Sequence, residues 1–273
     1  MYLLFDIGGT NIRLAISSDG KEIGEVVSIP TPQDFDDGIK EIVDAAKTLN
    51  GTNEFKAAAG GIREVLDKNK AMLINDPKHS KIPRWMGKPI KEKLEKELGC
   101  SVFLENDSAL VGLGEATHGA GAGHKIVAYI TVSTGVGGVR IVDCKIDQNC
   151  WGFEPGQQII DYKDITYLED EISGESFKKK FERESYTITD ETVWERSAKI
   201  LAVGLNNVLV LWSPDIVVLG GGVMESIPLE KVKMHLKEYV RKFPDLPPLV
   251  RAELHEKGGL LGALEYLKQN IRV

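Results

Sequence analysis

One short phrase occurs twice in this chain, and it limits the fold more than any other feature. An apolar run, a glycine-bearing polar turn and a second apolar run appear as Tyr2–Ile7, Gly8-Gly9-Thr10 and Ile12–Ser17. They return as Lys125–Val132, Ser133-Thr134-Gly135 and Val136–Val142. Short apolar runs of this length on either side of a tight turn are the paired strands of a hairpin. A further run, Glu22–Ile29, lies past the Asp19-Gly20 turn and predicts a third strand before any helix.

Helices and single strands follow each hairpin. Ile39, Ile42, Val43 and Ala46 keep helical spacing as far as Gly51, and Ala57–Ala59 runs into Gly60-Gly61 as a strand. Ile90, Leu94 and Leu98 line a helix before Gly99, and Val102–Leu104 carries Glu105-Asn106-Asp107 to the start of a helix over Ser108–Ala116. In the second half a long helix runs from Val193 to Trp212 and stops before Pro214, which cannot continue it. Asp215–Leu219 is then a strand feeding Gly220-Gly221-Gly222, and Val232–Phe243 forms a helix face. Leu249–Leu254 reads as a strand and Leu260–Leu267 as a closing helix, whereas Ile165–Phe181 is mixed, charged and without clear period. The expectation is an α/β protein of two domains, residues 1–112 and 113–259, with the closing helix of 260–273 packing back on the first. The glycines within Ala109–Gly123 suit a linker or hinge.

Composition narrows the function. At 273 residues, 42% hydrophobic and 27% charged, the chain matches a soluble globular protein and neither a disordered nor a fibrous one. Its 34 Lys and Arg against 41 Asp and Glu leave a net charge of −7, which argues against a general nucleic-acid binder and makes any phosphate site local. The three cysteines, Cys100, Cys144 and Cys150, form no C-x-x-C pair and no even disulfide set, as expected in a reducing cytoplasm. Asp6 interrupts the first apolar run, and later runs are too short to cross a bilayer, so no membrane partner is expected.

Four segments have the residue types that carry chemistry. In Asp6-Ile7-Gly8-Gly9-Thr10-Asn11, a turn without side chains at its tip lets backbone N–H groups approach phosphate oxygens, with Thr10 and Asn11 adding side-chain hydrogen bonds. Asp6 would hold Mg²⁺ directly or through water, or else simply cap the turn. Ser133-Thr134-Gly135-Val136-Gly137-Gly138 repeats that chemistry, and two such turns can clamp one polyphosphate across a cleft. Gly220-Gly221-Gly222 offers bare backbone to a flat ring. Asp107 either takes a proton from a substrate hydroxyl, with Asn106 fixing its neighbours, or only caps the helix that follows. No Walker motif and no dinucleotide-binding G-x-G-x-x-G at a strand-to-helix turn is present.

In this order the four segments resemble the ROK family of bacterial sugar kinases, glucokinase- and hexokinase-like members of the actin-like ATPase superfamily. Gly112-Leu113-Gly114-Glu115-Ala116 and Lys257-Gly258-Gly259-Leu260-Leu261-Gly262-Ala263 extend the resemblance over nearly the whole chain. It implies two ribonuclease-H-like domains with a nucleotide and sugar cleft between them, ATP and Mg²⁺ as cofactors, and phosphoryl transfer to a hexose or amino-sugar hydroxyl. Asp107 would be the general base. Gly8, Gly9, Thr10, Thr134 and Gly135 would hold the phosphates and Gly220, Gly221 and Gly222 the adenosine. A homodimer is expected by the same analogy.

The sugar side departs from the family pattern. Glu154-Pro155-Gly156-Gln157 stands where the family has Glu-x-Gly-His, so Glu154 keeps a sugar ligand's place while Gln157 replaces a histidine that binds sugar and zinc, and the cysteine cluster completing that zinc site is missing. A zinc-less variant is therefore expected. Glu169, in Leu168-Glu169 ahead of Ile172-Ser173-Gly174, keeps the family's place for a sugar ligand. Gly61 joins it from Gly60-Gly61-Ile62-Arg63-Glu64-Val65, which stands in place of Gly-Pro-Val, and Asn75-Asp76-Pro77 replaces a Pro-Asn pair. Two other classes stay open: a non-catalytic sugar or nucleotide sensor, for which the chain lacks an N-terminal helix-turn-helix, and an ATPase of the actin or heat-shock-chaperone kind, which would need no sugar carboxylates.

Overall fold

The computed structural model describes residues 1–51, 54–74 and 77–271; Asn75 and Asp76, and the end of the closing segment at Arg272 and Val273, lie outside the described residues. In chain order the elements are β1 (Tyr2–Ile7), β2 (Asn11–Ser17), β3 (Val27–Pro30), α1 (Phe35–Asn50), β4 (Ala57–Ile62), α2 (Ile90–Leu98), β5 (Ser101–Asn106) and α3 (Asp107–His118). There follow β6 (Ile126–Val132), β7 (Val136–Val142), β8 (Lys145–Ile146), β9 (Ile159–Asp161), β10 (Thr166–Tyr167), α4 (Leu168–Ile172) and α5 (Gly174–Phe181). The last are α6 (Glu191–Trp212), β11 (Ile216–Gly220), α7 (Leu229–Tyr239), β12 (Leu249–Arg251) and α8 (Gly258–Asn270).

The chain divides into two compact units. The first comprises Met1–His118, Gln148–Gly152 and the segment from Glu256 onward; the second comprises Gly119–Asp147 and Phe153–His255. The division falls at the end of α3 rather than at residue 112, because α3 is one continuous helix through that point. Gly112 and Gly114 therefore lie inside a helix and are not hinge positions. Gly114 faces α8, where an added Cβ would come 3.1 Å from the Gly262 nitrogen.

Each unit is built on a five-stranded mixed sheet, and the two sheets share one plan. The first has the order β3-β2-β1-β4-β5, with β1 antiparallel to β2 and parallel to β4. The second has β8-β7-β6-β11-β12, with β6 antiparallel to β7 and parallel to β11. Each hairpin thus seeds a meander on one side and accepts parallel strands on the other, which need crossover helices to cover the faces. Leu3, Phe5, Ile7, Ile12 and Leu14 pack with Ile39, Ile42 and Val43 of α1 in the first core. In the second, Ile130, Val132 and Val136 pack with Leu201, Leu205 and Leu209 of α6.

Local chemistry explains the boundaries. Asp34 caps α1 by accepting from the N–H groups of Asp36 and Asp37, and Gly51 ends it with φ +66°. The expected strand from Glu22 begins only at Val27, because Asp19 accepts from the Lys21 and Glu22 N–H groups and holds that stretch as a turn. Phe243 lies past the end of α7, since Val240 is extended and Phe243 precedes Pro244. The strand expected over Leu249–Leu254 covers Leu249–Arg251. All six residues of β4 are buried, and its run of alanine and glycine lets α3 and α8 lie close to the sheet. No helix among the described residues is long and apolar enough to cross a membrane.

Candidate active site

In the first unit, sheet register draws the site together. Asp6 pairs with Arg13 across the hairpin and with Gly61 on the other side, and Gly61 pairs with Glu105. Residues in one register row share a face of the sheet, so Arg13, Asp6 and Glu105 stand on the same side, separated only by a glycine. Gly61 is closely approached: a Cβ there would lie 3.0 Å from the Asp107 Cα and 3.4 Å from Asp6 Oδ1. From the far side, Gly259 at the start of α8 would bring a Cβ to 3.5 Å from the Asp6 carboxyl carbon.

The turn beyond β1 is tied at both ends. The Gly8 N–H donates to the Asn11 carbonyl at 3.0 Å, and the Thr31 hydroxyl donates to the Gly8 carbonyl at 2.8 Å. Thr10 and Asn11 are left exposed at its tip. Gly9 is closely packed, since an added Cβ would fall 2.6 Å from Lys81 Cβ and 2.8 Å from Arg63 Nη1.

At the junction of β5 and α3, the helix cap is Asn106 and not Asp107. Asn106 Oδ1 accepts from the Ala109 N–H at 3.1 Å, the bond an N-cap makes, and its Nδ2 donates to the Glu64 carbonyl at 3.3 Å. Both ends of that amide are thus used in holding the backbone. Asp107 is the first helical residue, its Oδ1 accepting from the Ser108 N–H at 2.6 Å and from the Ser108 hydroxyl at 3.2 Å. Burial raises the Asp107 carboxyl above its ordinary range, against the lowering effect of the Ser108 N–H and the Arg63 guanidinium. Burial also raises Asp6, to about 7; the neighbouring charge of Asp107 adds to the rise and Arg13, 3.5 Å away, opposes it.

A second polar group backs the junction. Glu105, 5% exposed, accepts from the Asn106 N–H at 2.9 Å and pairs with Lys70, whose ammonium also lies 3.4 Å from the Tyr266 hydroxyl on α8. The pair holds the loop around Lys70 against the end of β5. Neither Lys70 nor Tyr266 stands out in the sequence, because they meet Glu105 only through the tertiary fold. Arg13 was also missed, although a signal exists for it: a hairpin that pairs Ile7 with Ile12 sets Asp6 opposite Arg13.

In the second unit, the turn at Ser133-Thr134-Gly135 closes with the Ser133 N–H donating to the Gly135 carbonyl at 2.8 Å. Its outer carbonyls accept from the start of α5, Gly174 N–H to Ser133 at 2.7 Å and Glu175 N–H to Thr134 at 3.1 Å. Glu169 lies directly against this turn: its Oε2 accepts from the Val136 N–H at 2.7 Å, and its Oε1 accepts from the Gln157 side chain at 3.4 Å. Glu154 is exposed and opens a short 3-10 turn, Pro155–Gln157, with Gly156 packed on Val136. Of the glycine triplet, Gly220 is buried against Tyr129, and Gly221 adopts φ +97° beside the Val132 carbonyl. Only Gly222 faces open space, so the bare backbone expected of three residues is reduced to one.

The expected residues thus form two groups. Asp6, Gly8, Gly9, Thr10, Asn11, Gly61, Asn106 and Asp107 gather in the first unit; Thr134, Gly135, Glu169 and Gln157 gather in the second, where Gly221 and Val223 tie the triplet to the end of β6. Among the described residues no three His, Cys, Asp or Glu side chains come together as a metal cluster.

Comparison with known proteins agrees with this architecture. The chain aligns with an Escherichia coli N-acetyl-D-glucosamine kinase at 27% identity, covering 96% of this chain and 98% of that one. A Streptomyces coelicolor glucokinase aligns at 22% identity over 97% and 96% of the two chains. Among solved structures, the ROK hexokinase of Thermus thermophilus superposes with a TM-score of 0.84 at 28% identity, covering 98% of each chain. A ROK family glucokinase from Streptomyces griseus, in complex with glucose and AMPPNP, shares the fold with a TM-score of 0.81 at 22% identity over 98% and 99% of the chains. The ROK family pattern itself matches residues 2–155 and 160–270, and with that span of agreement the chain belongs to the ROK family.

Proposed function

We propose that this protein is an ATP-dependent sugar kinase that phosphorylates a hydroxyl of a hexose or amino sugar, with Asp107 as general base. The observation that carries this reading is the position of Asp107: Asn106 caps α3, so the Asp107 carboxylate is not consumed as the cap, and burial raises its proton affinity beside Asp6 and the Gly8–Thr10 turn. A base must hold a proton well enough to take it from an alcohol, and a raised carboxyl does so better than an exposed one. The names of the relatives, glucokinase and N-acetyl-D-glucosamine kinase, support the sugar class.

In the transfer, the sugar oxygen bonds to the γ-phosphorus as the bond to the β,γ-bridging oxygen breaks. ADP leaves with that electron pair, and the hydroxyl proton goes to Asp107. Asp107 and the Gly8–Thr10 turn act by position and charge, which is most of what phosphoryl transfer asks of a protein. The donor set fits Mg²⁺: Asp6 offers hard carboxylate oxygens beside the charge of Asp107, and a divalent cation would relieve the repulsion on Asp6. Asp6 would hold the ion, which supplies neutralisation of phosphate charge. On the sugar side, Glu169 and Gln157 are joined by a hydrogen bond, and Gln157 stands where a zinc-ligating histidine would; we take the site to work without zinc.

The test is ADP release with ATP·Mg²⁺ and a panel of glucose, fructose, mannose, N-acetylglucosamine and N-acetylmannosamine. Turnover that rises with at least one sugar supports the reading. Sugar-independent hydrolysis, or no turnover with any of them, contradicts it.

A further inference from the structure

Arg63 follows β4, in the segment that departs from the family pattern, and the fold brings it to the phosphate turn. Its N–H donates to the Ile7 carbonyl at 3.1 Å, extending the β1–β4 ladder by one bond and fixing where the side chain starts. The guanidinium then lies against Gly9, with Nη1 2.8 Å from the point a Cβ would occupy, so the missing side chain of Gly9 is what admits it. Glu64 braces it from behind: Glu64 Oε1 accepts from Arg63 Nε at 3.2 Å and from the Ser80 hydroxyl at 2.9 Å. The Nη edge stays on the side of the turn. Glu64 itself is held at φ +84°, a region a non-glycine residue occupies only where its surroundings enforce it, and the Asn106 amide bonded to its carbonyl is one such restraint.

The charges around this place call for a cation. Asp6, Asp107 and Glu64 are all acidic, Arg13 is the cation beside Asp6, and Arg63 is the cation whose field reaches Asp107. A nucleoside triphosphate would bring more negative charge to the same turn.

We propose that the Arg63 guanidinium contacts the γ-phosphoryl group of the nucleotide donor and stabilises the charge on its oxygens during transfer. The inference rests on the kinase reading above. The placement suits that role because one edge of the fork lies on the phosphate turn while its charge acts on the base. An incoming phosphoryl passing from the turn toward the hydroxyl at Asp107 stays within reach of one preorganised donor. The planar fork matters as well as the charge, since lysine presents a point charge without paired donors.

The experiment compares wild type with Arg63→Gln and Arg63→Lys, by calorimetric titration with ATP·Mg²⁺ and ADP·Mg²⁺ and by ADP release with the best sugar of the panel. For Arg63→Gln the expected result is ATP affinity about 10-fold weaker, ADP affinity within about 2-fold of wild type, and kcat lower by roughly 100-fold. Arg63→Lys should recover much of the ATP affinity and little of kcat; should the Gln variant not fold, the Lys variant carries the same forecast for kcat. Equal losses for ATP and ADP, an unchanged kcat, or a change confined to the sugar KM would each overturn the proposal, the last by assigning Arg63 to the acceptor instead. A wild-type protein that binds no ATP would overturn the kinase reading and this one together, whereas an active wild type with unaffected variants would overturn this one alone.

Discussion

Gly262→Ala should destabilise the protein through backbone alone. Gly262 lies on α8 where it meets α3, and an added Cβ would fall 2.6 Å from the carbonyl carbon of Leu110 and nearer still to its oxygen. Ordinary contact begins near 3.4 Å, so clearing the carbon alone takes about 0.8 Å and clearing the nearer oxygen takes more, and no flexible side chain stands there to yield instead. The parting loosens Leu110 and Leu113 of α3 and Leu260, Ala263, Leu264 and Leu267 of α8, all buried. Overpacking of this kind costs about 1–3 kcal/mol, at the upper end when the obstacle is backbone, and the better helix propensity of alanine returns up to about 1 kcal/mol. A net loss of about 2 kcal/mol corresponds to a melting temperature lower by roughly 4–8 °C in a protein of this size. Turnover should fall too, since α3 starts at Asp107 and α8 starts beside Asp6, and a misplacement near 1 Å can cost about 100-fold. The assay is thermal unfolding by circular dichroism beside Gly222→Ala, whose Cβ meets nothing within 4 Å and which should melt like wild type. A Gly262→Ala protein melting within about one degree of wild type would refute the packing argument.

Asp107→Asn should keep or slightly raise the melting temperature, because Asn106 holds the cap and the change removes a carboxylate whose charge burial disfavours; sugar-dependent ADP release should drop by roughly two to four decades. Wild-type turnover in that variant would exclude Asp107 as the base. Metal analysis of the purified protein should find zinc well below one per chain, and stoichiometric zinc would mean that Gln157 and the cysteines have been misread. Brief iodoacetamide treatment at pH 8, followed by intact mass, should add two groups, at exposed Cys144 and Cys150; Cys100, whose thiol is pushed up to about 11 by burial and then by Glu95, should react only after unfolding. Three additions at one rate would contradict that environment.

The hairpins and their glycine turns were legible in the sequence because alternation and turn chemistry are local. The same holds for α1 and α6, which are long enough to show a period and carry their own caps, Asp34 and Asp190. The stretch Ile165–Phe181 was not legible for the opposite reason. It contains two helices of 5 and 8 residues, too short for a period to repeat, and Ser173 ends one and caps the next by accepting from the Ser176 N–H at 3.1 Å. Gly112 and Gly114 misled because a glycine within a helix reads as a hinge until its partner helix is known. Asp107 read as either base or cap because both roles favour the same residue at the same place; which residue caps α3 depends on the side chain that reaches the Ala109 N–H, a geometric fact that spacing does not contain.

The glycines of this chain do different work under one letter, and the difference decides what each substitution would report. Gly8 and Gly9 keep a turn bare so that polar groups can approach it, and in Gly9 the group that has approached is Arg63. Gly61 and Gly259 instead line the two sides of Asp6 with no side chain of their own, and Asp107, next to Gly61, adds its charge to the rise of the Asp6 carboxyl. Gly114 and Gly262 bring α3 and α8 together and never face the site, yet they set the positions of the two helix starts that do. Loss of the first kind should appear as weaker nucleotide binding, loss of the second as an altered base, and loss of the third as lowered stability with turnover following. The family pattern is therefore a packing pattern as much as a binding one: without close helix crossing, Asp107 would not be held beside Asp6.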